Sequence, residues 1–270
     1  MASAGNRSRR STGRRSNDVS SDWIYGFHPV REALRAGRRR LECLWLRAGS
    51  ARADHDELST LARDAGIPVE IVERAAIDEL AGSEAQTQGV ALRAGPIPEL
   101  SLDELIAYVG SRRNSGGGQI VALDGVKDPQ NVGALARVAE SAGADGLVLT
   151  ERRAPELTPA VSRASAGAVE WLRVARVPNL GRALSSLKEA GFWIVAAAPE
   201  NGACLFEIED RLLTGNLVVV LGAESKGIRP GVLKLADHEV AIPMRGNVAS
   251  LNVSTAGAII LYDLLRRSIR

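Results

Sequence analysis

The chain is poor in cysteine, histidine, methionine and aromatic residues, and each shortage closes off a class of function. Its two cysteines, Cys43 and Cys204, lie far apart and read as reduced thiols in apolar surroundings, suited to a reducing compartment such as the cytoplasm. The three histidines, His28, His55 and His238, have no cysteine beside them and no metal-ligand spacing, so no metal is expected. Aromatic residues make up 4% of the chain, which argues against a sheet that recognises RNA by stacking bases on aromatic rings. No apolar run approaches the ~18 residues that span a bilayer, so no membrane partner is expected. There is no G-x-G-x-x-G after a strand, because Gly116-Gly117-Gly118 precedes one instead. A phosphate-binding P-loop and the G-x-S-x-G of serine hydrolases are also missing.

The 270 residues are 45% hydrophobic and 24% charged, with a net charge of +2. That is enough to bury a substantial core and to divide into two domains. The arginines cluster at Arg7, Arg9, Arg10, Arg14 and Arg15, at Arg38-Arg39-Arg40, at Arg112-Arg113 and at Arg152-Arg153. Such clusters under a near-neutral total suit either solvated helix ends or a localised anionic partner such as nucleic acid. The Ser- and Arg-rich stretch over residues 1–21 lacks the large apolar residues of a targeting helix and is expected to be a disordered basic tail.

Helices and strands alternate from Asp22 onwards. Helices are expected at Pro29–Leu34, Asp54–Ala65 and Ala75–Leu80, and strands at Leu41–Leu46, Val69–Val72 and Thr87–Leu92. This pattern predicts a small α/β domain over 22–95. Residues 96–118 are expected to be a linker and entry helix, with Pro96 and Pro98 stiffening the start and Asn114 to Gly118 forming a flexible break. The second domain, 119–270, is expected to hold strands at Ile120–Leu123, Gly146–Leu149, Phe192–Ala196, Leu217–Leu221 and Glu239–Ile242, joined by helices. Crossovers of this kind favour a mainly parallel sheet covered on both faces.

The β-branched and Leu run Leu217–Leu221 stops at Gly222, and the loop that follows carries Glu224. The short apolar piece ending in Ile242-Pro243 opens a second polar loop, which runs to the helix-capping candidates Ser250 and Asn252. Ligands of open α/β sheets sit beyond the carboxyl ends of strands, so the two loops are expected to share one site. A third segment, Asp124 to Arg137, turns from a strand into a helix start at Pro129 and Asn131. In it Gly133 leaves room for a close partner. Arg137, among Ala, Leu and Val, is either paired with a buried carboxylate or aimed into a cleft, and Glu224 is the candidate partner.

Three ordered stretches carry a resemblance. These are Asn131-x-Gly133-x-x-x-Arg137, Leu221-Gly222-Ala223-Glu224-x-x-Gly227 and Ile242-Pro243-Met244-x-Gly246-x-x-x-Ser250-Leu251-Asn252-Val253-Ser254. Together they resemble the motifs of the SpoU/TrmH branch of the SPOUT RNA 2′-O-methyltransferases. Ile24-Tyr25-Gly26-Phe27-His28-Pro29-Val30 and Gln88-Gly89-Val90-Ala91 resemble the ribosomal-protein-like substrate-binding domain that many members carry. The layout is most similar to enzymes that methylate a guanosine ribose of large-subunit rRNA.

The resemblance implies an α/β fold: a parallel-sheet domain tied in a trefoil knot, preceded by the small α/β domain. It implies S-adenosylmethionine held by backbone groups around Gly222, Ile242 and Leu251. It also implies functional roles for Asn131, Arg137, Glu224, Ser250 and Asn252, a homodimer whose sites draw on both subunits, and rRNA as partner. A guanidinium, with a pKa above ~12, is a reluctant base, so Arg137 is expected to orient the ribose and stabilise alkoxide charge, with Glu224 fixing it. Arg38-Arg39-Arg40 and the tail are expected to help the first domain dock RNA. The rivals are a methylase acting on tRNA, one acting on a different rRNA ribose to block an antibiotic, and a noncatalytic RNA-binding or ribosome-assembly protein.

Overall fold

The computed structural model describes residues 21–49, 53–81, 86–112, 117–224, 226–248 and 250–269. The basic tail expected up to residue 20, and most of the glycine-rich break at 114–118, lie outside the described residues.

The amino-terminal half runs β1 (Asp22–Tyr25), α1 (Phe27–Ala36), β2 (Leu41–Arg47), α2 (Ala53–Asp64), β3 (Val69–Val72), α3 (Arg74–Ala81) and β4 (Val90–Ala94). Its sheet has the order β1-β4-β2-β3. Strand β4 is antiparallel to both neighbours, and β2 is parallel to β3. Every second residue of β2, Leu44 and Leu46, joins Leu92, Val30, Leu34 and Leu58 in one core. The strand expected from Thr87 begins only at Val90, because Gln88 and Gly89 take positive φ values of 55° and 75° and make a turn. That turn aims the Gln88 side chain at α1, where Oε1 accepts from the Phe27 amide at 2.7 Å.

The carboxy-terminal half runs β5 (Glu99–Leu100), α4 (Leu102–Ser111), β6 (Gln119–Asp124), α5 (Pro129–Ser141), β7 (Gly146–Thr150), α6 (Pro159–Ala164), β8 (Arg173–Val177), α7 (Leu180–Glu189), β9 (Trp193–Ala197), β10 (Ala203–Cys204), β11 (Leu217–Gly222), α8 (Pro230–Leu233), β12 (His238–Ala241) and α9 (Val253–Ser268). Its eight strands have the order β10-β12-β9-β11-β6-β7-β8-β5, and every pairing is parallel. The continuous apolar runs make sense in this setting, since both sheet faces are covered. Along β11, Leu217, Val219 and Leu221 join Leu135, Ile260 and Leu264 of α5 and α9. The intervening Val218 and Val220 join Leu105, Leu184 and Val232 of α4, α7 and α8.

Four strands, β1, β5, β8 and β10, were not expected. Strand β8 carries Arg173 and Arg176, which break its apolar pattern, and Arg176 pairs with Glu99 at 3.0 Å. Glu99 belongs to β5, so the stretch expected to be a linker adds a strand to the large sheet. Both cysteines are free and half-buried rather than core residues.

The two halves are joined by the arginine run expected to dock RNA. The Arg39 guanidinium meets the Glu170 carboxylate through two bonds of 2.7 and 2.6 Å, with the two side chains only 3% and 1% exposed. Arg38 donates to the carbonyls of Glu170 and Leu172. Burial, with Arg173 nearby, pushes its pKa down to about 10, so it stays charged at neutral pH. Arg40 pairs with Glu42 at 2.7 Å. Arg38 and Arg39 are therefore a latch between domains while Arg40 stays on the surface of the first, and charge in a sequence could not distinguish the two. Close packing continues the join: a Cβ on Gly167 would lie 2.6 Å from Glu32 Cβ, and Trp171 Nε1 donates to Glu32 at 3.0 Å.

Candidate active site

Strands β6 and β11 lie side by side in register, so Asp124 and Gly222 end the two ladders together. Their loops and the start of α9 converge at this carboxyl edge. Glu224 lies just beyond β11, and its Oε1 accepts from Asn131 Nδ2 at 3.2 Å and also from Asn252 Nδ2. Asn252 Nδ2 reaches Asn131 Oδ1 at 3.0 Å as well. The other side of Asn252 caps α9, where its Oδ1 accepts from the Ser254 amide at 2.8 Å and the Ser254 hydroxyl at 2.6 Å. Asn131 sits in the first turn of α5, which Pro129 and the Asp128 cap start in the usual way. One carboxylate thus ties together three segments, the outer two of which lie 121 residues apart in the chain.

Beside this network lies a mainly apolar pocket. Gly222, Glu224, Ile242, Ser250 and Leu251 line it, with Met244 and Val253. The loops expected to share a site do so, although β9 separates β11 from β12. Gly222 is required by its own loop: a Cβ there would lie 2.2 Å from the Gly227 carbonyl carbon. Gly227 returns at φ 60° and donates to the Ala223 carbonyl at 2.7 Å. Gly133 also serves the fold, since a Cβ on it would lie 2.4 Å from Ala164 Cβ of α6.

Arg137 does not pair with Glu224. Asn131 and Asn252 occupy that carboxylate, and Arg137 is exposed on α5, away from the pocket-lining residues. Among the described residues it has neither a hydrogen bond nor an ion pair. Sequence reasoning had treated Asp124 only as part of a turn. It is 2% exposed and accepts from the Arg229 amide at 2.8 Å and Arg229 Nε at 2.7 Å. This pair ties the end of β6 to the loop after β11. The available signal was an acid directly following a buried strand.

Residues 118–262 match the model of the SpoU rRNA methylase family, and residues 23–100 match the model for RNA 2′-O ribose methyltransferase substrate binding. The chain belongs to the SpoU rRNA methylase family. Among curated SpoU relatives, the 23S rRNA (guanosine-2′-O-)-methyltransferase RlmB of Pseudomonas putida is 36% identical over 247 residues, covering 90% of this chain and 96% of that one. A solved RNA 2′-O ribose methyltransferase superposes with a TM-score of 0.75 at 27% identity, covering 94% of this chain and 91% of the other. The SpoU methyltransferase AviRb of Streptomyces viridochromogenes, solved with the cofactor AdoMet, shares the fold at a TM-score of 0.74 and 24% identity, with 92% and 91% covered.

The SpoU pocket has the chemistry of a nucleoside site: apolar walls at Ile242, Met244 and Leu251, and strand-end backbone along its rim. Its volume in this conformation is about 110 Å3, below the ~300–1,000 Å3 of small-molecule sites. Of the loop over 243–248, Met244 lines the pocket. That loop exposes Met244 and Val248, the latter by 70%.

Proposed function

We propose that this SpoU chain methylates a ribose 2′-oxygen of RNA, that of a guanosine in 23S rRNA, using S-adenosylmethionine. The observation that carries this is the convergence of Asn131, Glu224 and Asn252 on one hydrogen-bonded network beside the apolar strand-end pocket. Family membership and the name of the P. putida relative support the reaction and the substrate.

S-adenosylmethionine, when bound, supplies an activated sulfonium methyl group. Ile242, Leu251 and Met244 would hold its apolar part, and the backbone near Gly222 would offer polar edges. Glu224 holds the two asparagines and, through them, the starts of α5 and α9. These fixed amides and Ser250 orient the ribose hydroxyls, and orientation is a large part of the barrier to such a transfer. Arg137 stabilises the negative charge that develops on the attacking oxygen. Its exposure and its lack of a partner among the described residues support its reaching the site of a second copy in a homodimer. The half-buried Ile259 and exposed Tyr262 on the neighbouring helix α9 suit a face that such a copy covers. The same reading includes a trefoil knot at the carboxyl end and a cytoplasmic place of work.

The test is methyl transfer from labelled S-adenosylmethionine to a large-subunit rRNA transcript, with the product mapped as an alkali-resistant ribose. Arg137→Ala is expected to abolish transfer and to leave donor binding intact. Near-normal turnover in that variant rejects the role of Arg137. Failure of the wild-type protein to bind the donor would favour the noncatalytic rival.

A further inference from the structure

A second cleft opens beside the first and shares Ala223 and Glu224 with it. Its wall carries Lys127, Arg153, Lys226 and Arg229 against the acids Asp124, Asp128 and Glu224. The acids are already engaged. Asp124 holds Arg229, Asp128 caps α5 at the Gln130 amide, and Glu224 is bound by the asparagine amides. The side chains of Lys127, Arg153 and Lys226 have no hydrogen-bond or ion-pair partner among the described residues. The cleft therefore sets four cations against three carboxylates, a net charge of +1, with the side chains of Lys127, Arg153 and Lys226 free to turn to an anion a short step from the place where the methyl group would be transferred.

Arg153 is set there by a built device. Its φ is 77°, a conformation uncommon for a residue with a Cβ and found where surroundings over-determine the backbone. The surroundings do so here. Arg176 of β8 donates to the carbonyls of Thr150 and Pro155, bracing the loop at both ends, and is itself held by Glu99 of β5. Thr150 Oγ1 donates to the Arg152 carbonyl at 2.5 Å.

We propose that this cleft seats a backbone phosphate of the RNA strand next to the target ribose, with Arg153 as its fixed anchor and Lys127 and Lys226 as point charges around it. A guanidinium in a fixed fork suits bidentate phosphate contact, whereas lysines act as adaptable charges. The inference rests on the methyl-transfer reading only for which ribose lies alongside.

The experiment uses the full-length protein with a large-subunit rRNA transcript and measures RNA affinity over a range of salt, donor affinity and methyl transfer. Arg153→Ala and Arg153→Gly both remove the guanidinium, and Gly also relieves the backbone, so a defect shared by both belongs to the side chain. Each is expected to weaken RNA binding about ten-fold and to reduce the slope of log affinity against log salt by roughly one, the scale of one lost phosphate contact. Donor affinity is expected to stay at the wild-type value. Wild-type RNA affinity and salt slope in both variants overturn the phosphate seat, even with methyl transfer intact. RNA binding that depends on Arg153, in a wild-type protein that transfers no methyl group, supports the seat and overturns the methyl-transfer reading alone.

Discussion

Arg39 and Glu170 face each other across the join between the two sheets as a two-point ion pair shielded from water, with Ser162 Oγ bonded to both. One residue follows α1 and the other precedes β8. Desolvating two charges costs much of what their attraction returns, but removing a single partner leaves a stranded charge. Arg39→Ala is expected to lower stability by about 3–5 kcal/mol, and Arg39→Met combined with Glu170→Met to lose much less. Urea unfolding of the single and double variants measures the difference. For the same reason, removing the whole amino-terminal half is a poor test of RNA docking, since it strands Glu170.

Asn252 does two jobs that mutation can separate. Its Oδ1 caps α9, and its Nδ2 binds Glu224 and Asn131. Asn252→Ala is expected to cost about 1 kcal/mol through the lost cap and to reduce turnover as well. Asn252→Ser keeps a capping oxygen but lacks the amide donor, so it is expected to melt near the wild type while turning over roughly 10–100 times more slowly, approaching the scale of one lost site donor. Calorimetry paired with methyl-transfer rates checks this, and full activity in Asn252→Ser would refute the role of the amide.

Gly222→Ala places a methyl group 2.2 Å from the Gly227 carbonyl carbon, and backbone rather than a flexible side chain must give way. The loop between Ala223 and Gly227 is expected to open, costing about 1–3 kcal/mol as overpacking does, with donor affinity lost in parallel. Isothermal titration with S-adenosylmethionine, compared with thermal melting, tests whether the two losses travel together.

Donor binding should be visible in the loop over 243–248. Met244 of this loop lines the pocket, so an occupant that it covers holds the loop in place. Hydrogen exchange across 243–248 is expected to slow on adding S-adenosylmethionine. Stability is expected to rise by about 2.7 kcal/mol at a hundred-fold excess over Kd. Unchanged exchange in that loop, with binding demonstrated, contradicts the placement.

Arg267, near the end of α9, is 1% exposed at its side chain and pairs with Asp263 and Asp210. It also donates to the carbonyls of Ile208 and Leu205, fastening the helix onto the 203–213 stretch. Arg267→Ala is expected to destabilise by about 1.5–3 kcal/mol, because Asp263 Oδ2 loses its charged donor while Oδ1 keeps Arg266 at 2.7 Å. Chemical unfolding measures the loss.

The parts of this molecule legible in the sequence were those where one local signal dominates. The run Leu217–Leu221 could only be a strand covered on both faces, and Asn252 before an apolar run marked the start of a helix. Strand β8 was hidden because Arg173 and Arg176 interrupt its apolar pattern, and β5 and β10 have two residues each, too short to show a period. The site was legible as a set of loops but not as a set of bonds. Glu224 has two asparagines within reach, and nothing in the order of residues says that their amides displace Arg137. Gly133 and Gly222 were marked as places of close approach, yet what approaches is α6 in one case and the loop's own Gly227 in the other.

The dry seam between Arg39 and Glu170 also sets terms for anyone recombining this chain with its relatives. A chimera that takes one half from another protein inherits only one member of the pair. Unless the donor sequence supplies the matching opposite charge, the hybrid carries an orphan ion at its centre. The two halves can be exchanged only where the charges at these two positions match.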